Sequence, residues 1–395
     1  MVNKVIDVCI VGGGMVGSAC ALGLAQLGWS VVLLERDCPQ AYSDEQLPDL
    51  RVSAINLNSE QFFQDLGVWQ DIQSMRLCPY RRLSVWEQRD ARTDFDCRGI
   101  KRPHLGHIIE NRIIQLALHQ RFGDYTNLRS IYGEAIDSIE LNQHARVTLV
   151  NGETLNARIL IGADGANSLV RKAAGIGVQG WQYQQHALGI TIKTHGEQQD
   201  ITWQQFTPQG PVAFLPLFGQ YASLVWYNDA RHVERLKKLS KKQLKHEIVQ
   251  HFPAELVDFD IIDWGSFPLN RMHANQYSKA NAVLVGDAAH NINPLAGQGV
   301  NLGFKDVQVL LDIFNAHRNE FNAQPSAANL SQWFTEYENR RRRDNLLMMS
   351  VMDGLYLGFG NNIMPLKFLR NVGLKLANRA GPLKKRALQY AVGFN

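Results

Sequence analysis

Residues Val5 to Arg36 constrain this chain more than any other stretch. The run Val5-Ile6-Asp7-Val8-Cys9-Ile10-Val11 leads into Gly12-Gly13-Gly14-Met15-Val16-Gly17, an Ala/Leu-rich run to Leu27, Gly28, and a second apolar run, Val31 to Leu34, ending at Glu35. The order is strand, glycine turn, helix, strand. Gly12, Gly14 and Gly17 carry the G-x-G-x-x-G spacing that opens a dinucleotide-binding βαβ unit. Gly12 permits the tight turn, Gly14 removes the side chain that would block a pyrophosphate, and Gly17 lets the helix pack closely on the strand. Phosphates then meet free N–H groups of the first helical turn, Met15 and Val16 among them, at the positive end of the helix dipole. Glu35, with Arg36 beside it, stands where a carboxylate accepts hydrogen bonds from both ribose hydroxyls. The motif alone does not separate FAD from NAD.

Downstream, a polar segment with two prolines, Asp37 to Asp49, reads as an exposed loop that delivers Arg51 beside the nucleotide. Ser59 to Leu66 has the spacing of a short helix capped by Asn58 or Ser59. Leu83 to Trp86 and Gly106 to Glu110 read as strands, the second leading into a helix from Asn111 to Phe122. Asn111 and Arg112 at that junction are placed to face a cofactor, with capping by Asn111 as the alternative. Val147 to Leu155 is a hairpin around Asn151-Gly152. It runs on into a buried strand that ends in Gly162-Ala163-Asp164-Gly165, with Arg171 beyond.

From Gln179 to Pro268 the texture changes to alternating, aromatic-rich strands with a lysine-rich helix, roughly Val233 to Phe252, before the last of them. This reads as an inserted, mainly antiparallel sheet whose aromatics are a core by default and a substrate wall by alternative. The first texture then returns with Ala282 to His290, followed by Pro294, Gly297-Gln298-Gly299, Val300, Asn301 and a long helix through Phe314. The chain divides into nucleotide-binding parts at 1–75, 106–178 and 269–339, sheet-domain parts at 76–105 and 179–268, and a basic helical region at 340–395. A length of 395 residues is compatible with two or three domains.

Charge is uneven. The net +4 of the chain divides into +9 from Arg340 onward and −5 before it. Cations interleaved with Leu366, Phe368, Leu369, Val372, Leu374 and Leu376 suit an anionic lipid surface, or else form a solvated face; no binding motif for nucleic acid accompanies them. No apolar run approaches the ~20 residues that cross a bilayer, and no signal peptide of the usual form is present. A cytoplasmic protein, at most peripheral to the inner membrane, is expected. The five cysteines show neither pairing nor metal-ligand spacing, so no disulfide or metal centre is expected, and Cys9 and Cys20 are read as small core residues.

Three strands thus end in turns of glycine plus an acid: Gly12 to Gly17 with Glu35, Gly162 to Gly165 with Asp164, and Gly286-Asp287. Each frees N–H groups at the carboxyl edge of a sheet, where ligands bind in open α/β folds. The trio resembles the class A flavoprotein monooxygenases of the para-hydroxybenzoate hydroxylase type. The resemblance implies an α/β fold: a Rossmann-like FAD-binding domain of the GR2 type, an inserted, mainly antiparallel β-sheet substrate domain and a helical C-terminal tail. It also implies that the first motif takes the ADP half of FAD, that the Asp164 motif borders flavin and NAD(P)H, and that Asp287 binds the ribityl chain.

Arg51 to Ile55, Ile109-Glu110-Asn111, Trp203 to Pro208, Gly286 to Gly303 and Arg370 to Leu374 are similar, more narrowly, to the ubiquinone-biosynthesis hydroxylases. That similarity implies hydroxylation of a polyprenylated benzoquinol ring, with NAD(P)H and O₂ and through a C4a-hydroperoxyflavin, among other ubiquinone-biosynthesis proteins; a homo-oligomer is compatible with it. Such chemistry needs a dry pocket more than acid/base residues. Pro294, Gly297, Gln298 and Gly299 are therefore the candidate catalytic group, with the N–H groups of Gly297-Gln298-Gly299, after Pro294 and before a helix, facing the flavin pyrimidine edge. His290 is read as ordering its turn rather than as a base. No second G-x-G-x-x-G unit exists, so the nicotinamide is expected to bind transiently near Asp164 and Arg171. Hydroxylation of another ring position or phenol, a flavin dehydrogenase acting on prenyl chains and a non-catalytic flavin-binding assembly subunit are the alternatives.

Overall fold

A computed structural model describes residues 5–292, 299–322, 327–359 and 370–372. The chain opens as β1 (Ile6–Val11), α1 (Met15–Gln26) and β2 (Val31–Glu35), and continues through β3 (Val52–Asn56), α2 (Leu57–Asp65), α3 (Trp69–Met75) and β4 (Cys78–Tyr80). Next come β5 (Arg82–Trp86), β6 (Arg92–Asp96), β7 (Gly106–Glu110), α4 (Asn111–Gln120), β8 (Leu128–Tyr132), β9 (Ile136–Leu141), β10 (Ala145–Leu149), β11 (Thr154–Gly162) and α5 (Leu169–Ala173). The middle of the chain is β12 (Val178–Thr194), β13 (Ile201–Gln205), β14 (Val212–Pro216), β15 (Tyr221–Asp229), α6 (Ala230–Lys237), α7 (Lys241–His251) and β16 (Phe259–Ala274). It closes with β17 (Ser278–Lys279), β18 (Ala282–Leu284), β19 (His290–Asn291), α8 (Gly299–Ala316), α9 (Arg318–Asn322) and α10 (Ala327–Phe359).

The first sheet has the order β17-β18-β11-β1-β2-β8, with β10 and β9 appended to β11 as the expected hairpin. β18, β11, β1, β2 and β8 run parallel. A parallel strand covered on both faces must be apolar along its length, and Val8, Cys9, Ile10 and Val11 are all buried. α1 is buried nearly all round because β1, α4 and α8 surround it, and its Ala, Gly and Cys residues allow close packing. Burial pushes the Cys9 and Cys20 thiols up to about 12, so both are inert core residues.

The second sheet has the order β19-β16-β12-β15-β14-β13-β5-β6 and is antiparallel except where β13 meets β5. β5 and β6 join it from the 76–105 segment. Trp203, Phe214 and Trp226 form its core with Phe252 of the helical layer, so these aromatics are packing rather than a substrate wall. Two boundaries differ from expectation. β16 runs past Pro268 to Ala274, which carries this sheet to the edge of the nucleotide-binding unit. The lysine-rich helix is two helices, because Ser240 and Gln243 form a capping box that starts α7 anew. At the start of α2 the cap is Asn56, two or three residues before the expected Asn58 or Ser59.

α10 crosses position 340 without a break, so the boundary expected at 340 falls inside a helix. Arg341 is fully buried, donating from Nε to Asp306 Oδ1 at 2.8 Å and from Nη2 to Asn345 at 2.7 Å. Asp306 also accepts from the Gly286 N–H (3.0 Å) and Asn345 (3.1 Å), and lies 2.5 Å from His290 Nε2. Burial alone would raise its pKa, but the positive charges of His290 and Arg341, with these hydrogen bonds, hold it well below the carboxylate range. Arg370 is likewise taken up by the buried Glu87, 2.6 Å away. A helix turns successive cations in different directions, so Arg340 to Arg343 do not share one face. Lys367, Lys375, Arg379, Lys384, Lys385 and Arg386 lie outside the described residues.

Removing one partner of a buried ion pair strands the other. Arg341→Met is therefore expected to cost about 3–5 kcal/mol in urea unfolding, and a loss under ~1 kcal/mol would contradict the arrangement. Burial, with positive charge from His290, Arg342 and Arg271, lowers His273 to about 4. Its folded pKa lies below the unfolded ~6.5, so protons favour the unfolded chain and stability falls as pH drops from about 6.5 to about 4. His273→Gln should flatten that slope in unfolding measured across this range.

Candidate functional site

Adjacent parallel strands with matched register must end level. Val11 of β1 lies opposite Gly162 of β11, and Gly162 lies opposite Leu284 of β18. Their turns are then tied by backbone bonds: Ala163 N–H to the Val11 carbonyl at 2.8 Å and Val285 N–H to the Gly162 carbonyl at 3.0 Å. The three glycine-and-acid turns therefore lie side by side.

They touch so closely that side chains are excluded. A Cβ on Gly17 would lie 1.8 Å from the Gly12 carbonyl, and one on Gly12, where φ is +101°, 2.4 Å from the Ala163 carbonyl. Gly14 differs: a Cβ there meets open space. Gly14 begins α1 with no side-chain cap and no acid in the first turn, so the helix presents bare N–H groups. Glu35 Oε2 accepts from the Gly13 N–H at 2.5 Å and Oε1 from Asp37 at 3.0 Å, which fixes the carboxylate and leaves lone pairs for ribose hydroxyls. An open turn, an uncapped helix and a fixed acid fit an adenine dinucleotide.

A groove of about 410 Å³ runs from this turn between the two sheets. Gly14, Met15, Val16, Arg51, Asn111, Asp287, Gly299 and Val300 line it. Ser53, Asn291, Ile292 and the Phe267–Asn270 stretch of β16 also line it and were not anticipated. Ser53 lies two residues from Arg51, a signal that was available; Phe267 to Asn270 arrive only because β16 overruns its expected end. Asp287 is accessible in the groove but enclosed by its walls. That enclosure raises its pKa, against the lowering by the positive charges of His290 and Arg51. His290 is buried against Asp306 and orders the turn.

Several expected contacts are corrected by side-chain geometry. Arg171 is buried, donating to the Ala288 carbonyl at 2.8 Å and the Ala166 carbonyl at 2.7 Å, so it clamps the second and third turns together instead of offering charge to a nicotinamide. Asp164 Oδ2 accepts from Leu169 and Val170 at the start of α5, while its Oδ1 is buried without a partner among the described residues. Arg112 is forked onto Asp49 at 2.8 and 2.9 Å, anchoring the loop before Arg51. Arg36 pairs with Asp37 on the surface. Asn301 is a staple: its amide accepts from Asn56 and Ser59 and donates to the Ala54 carbonyl. Asn111 does not cap α4; it accepts from Ser53 Oγ at 2.7 Å. Pro294, Gly297 and Gln298 lie outside the described residues, whereas Gly299 opens α8 at the groove.

A further pair positions Arg51. Arg76 forks onto Glu110 at 2.7 and 2.9 Å, both buried, and also donates to the Gln46 and Leu47 carbonyls. The pair holds the 37–50 loop against β7, so Arg51 enters the groove from a fixed base.

These contacts separate two glycines that a motif treats alike. Gly14→Val is expected to fold with an unfolding midpoint close to the parent apoprotein and to retain little flavin, measured as visible absorbance per mole of protein. Gly17→Ala is expected to lower the apoprotein midpoint as well. Equal flavin retention by Gly14→Val would contradict the assignment of the turn.

The description "FAD binding domain" matches residues 5–326. The chain is 45% identical over 395 residues to the 3-demethoxyubiquinol 3-hydroxylase of Escherichia coli, covering all of both chains. It is 33% identical to a ubiquinone hydroxylase of Rhodospirillum rubrum, over 99% of this chain and 90% of the relative. Among solved structures, p-nitrophenol 4-monooxygenase from Pseudomonas putida superposes with a TM-score of 0.79 at 17% identity, covering 99% of each chain, a likeness of fold. With three turns meeting at one groove and relatives matched over 90% or more of their length, the chain belongs to the FAD-binding-domain family of flavin-dependent monooxygenases.

Proposed function

We propose that this enzyme hydroxylates a ring carbon of a polyprenylated benzoquinol of the demethoxyubiquinol type, in ubiquinone biosynthesis, with FAD, NAD(P)H and O₂. The observation that carries the reading is the end-to-end identity of 45% to the Escherichia coli 3-demethoxyubiquinol 3-hydroxylase.

Bound FAD supplies the oxygen-activating chemistry, and the residues of this chain bind, orient and exclude water. Gly14 and the N–H groups of Met15 and Val16 hold the pyrophosphate, and Glu35 holds the ribose. Asp287 takes the ribityl chain and Arg51 faces the same groove. Gly299 and Val300 begin α8 at the far end, where the positive end of the dipole favours developing negative charge. Pro294, Gly297 and Gln298 belong to the same proposed catalytic group. Phe267 and Leu269 roof the groove with apolar surface that keeps it dry. No described histidine at the groove is free to act as a base, since His290 is tied to Asp306.

No helix among the described residues is long and apolar enough to cross a membrane. We place the enzyme in the cytoplasm, reaching a lipid-borne substrate at the membrane surface beside other enzymes of the same pathway. The cations beyond Arg370 are the contact proposed for that surface.

Purified protein should be yellow, and a short-chain demethoxyubiquinol analogue should accelerate NAD(P)H oxidation. One ring oxygen of the product should come from isotopically labelled O₂. Turnover without label in the ring, or anaerobic turnover with an artificial acceptor at the same rate, would overturn the reading.

A further inference from the structure

Outside the flavin groove, Glu60 of α2, His104 of the loop before β7 and His107 of β7 converge. Glu60 Oε2 lies 2.7 Å from His104 Nε2 and 3.3 Å from His107 Nδ1, and one ligand atom from each residue lies within 4.8 Å of the others. The imidazole rings are 4.3 Å apart, and Trp69 packs edge-on against His107 at 5.0 Å. The side chains are 12%, 16% and 6% exposed respectively, so the cluster is walled on its inner side and reachable from solvent past His104.

Hydrogen bonding within the cluster leaves one atom unaccounted for. His104 bonds Glu60 directly, but the buried Nδ1 of His107 has no hydrogen-bond partner despite its proximity to the carboxylate. A buried polar atom in that state is unfavourable, and a cation between the three groups gives it a partner. A tetrahedral ion with ligand bonds of about 2.0–2.1 Å separates its ligand atoms by about 3.3 Å. The observed spacing needs only small side-chain shifts to reach that value.

We propose that Glu60, His104 and His107 form a divalent transition-metal site of the Zn²⁺ class. Two imidazoles and one carboxylate suit Zn²⁺, and less so the all-oxygen preferences of Ca²⁺ or Mg²⁺; a water completes the shell. The site is structural. It fastens α2 to β7; α2 and its cap carry Ser59 and Asn56, which grip Asn301, and β7 carries Glu110, which grips Arg76. The metal therefore braces the frame from which Arg51 and Ser53 enter the groove.

The test uses the full-length, flavin-loaded protein, stripped with a chelator and titrated with Zn²⁺ in a calorimeter and with Co²⁺ followed by visible absorption. One ion per chain is expected, with a tetrahedral Co²⁺ spectrum and a Zn²⁺-dependent rise in thermal midpoint. Glu60→Gln and the partly exposed His104→Gln should each weaken Zn²⁺ binding by roughly tenfold or more and abolish the rise. His195→Gln, altering an exposed histidine between Asp258 and Asp260, should change neither. Equal Zn²⁺ affinity in the parent and His104→Gln would mean an adventitious ion only and would overturn the proposal, as would no binding at all.

Discussion

Backbone contact between the turns is the constraint on which the rest depends. Once β1, β11 and β18 share a register, their carboxyl ends meet, and nothing larger than a hydrogen atom fits at Gly12 and Gly17. That closeness aligns helix, turn and acid into one edge. The groove follows from it, and so does the need for a second sheet to roof one side. β16 meets that need by running sixteen residues, from the aromatic core of its own sheet to the lip of the first.

Buried charge then fixes what the glycines leave adjustable. Asp306 joins the third turn to α8 and α10 through Gly286, His290, Arg341 and Asn345. Arg171 joins the third turn to the second, and Arg76 with Glu110 fixes the approach of Arg51. Such pairs are costly to bury and are weak evidence for net stability. What they supply here is position: each accepts or donates to named backbone groups at a turn or loop that borders the groove. An enzyme whose cofactor does the difficult chemistry depends on that kind of positioning.

Much of this was legible in the amino-acid order, because glycine spacing, strand texture and the Asn151-Gly152 turn are local signals. The second sheet declared itself by alternation, and Cys9 and Cys20 by the runs that contain them. What was not legible depends on partners distant in sequence. Arg112 reads as a cofactor contact until Asp49, sixty-three residues earlier, takes its guanidinium. Arg341 reads as one of a run of surface cations until the helix turns it onto Asp306, thirty-five residues away. Asn301 and Arg171 are staples for the same reason. The break at Ser240 was available, since Ser240-Lys241-Lys242-Gln243 is a capping-box sequence inside an apparent single helix. Glu60 and the two histidines were not, because nothing local links α2 to a loop more than forty residues on.

The central claim is that three separated turns hold one flavin in common. Hydrogen exchange of the apoprotein with and without FAD, resolved peptide by peptide, tests it most directly. The account predicts concerted protection of 12–17, 51–53, 163–165, 285–288 and 299–303 at a single FAD concentration. Protection confined to 12–35, with the other segments exchanging as in the apoprotein, would contradict it.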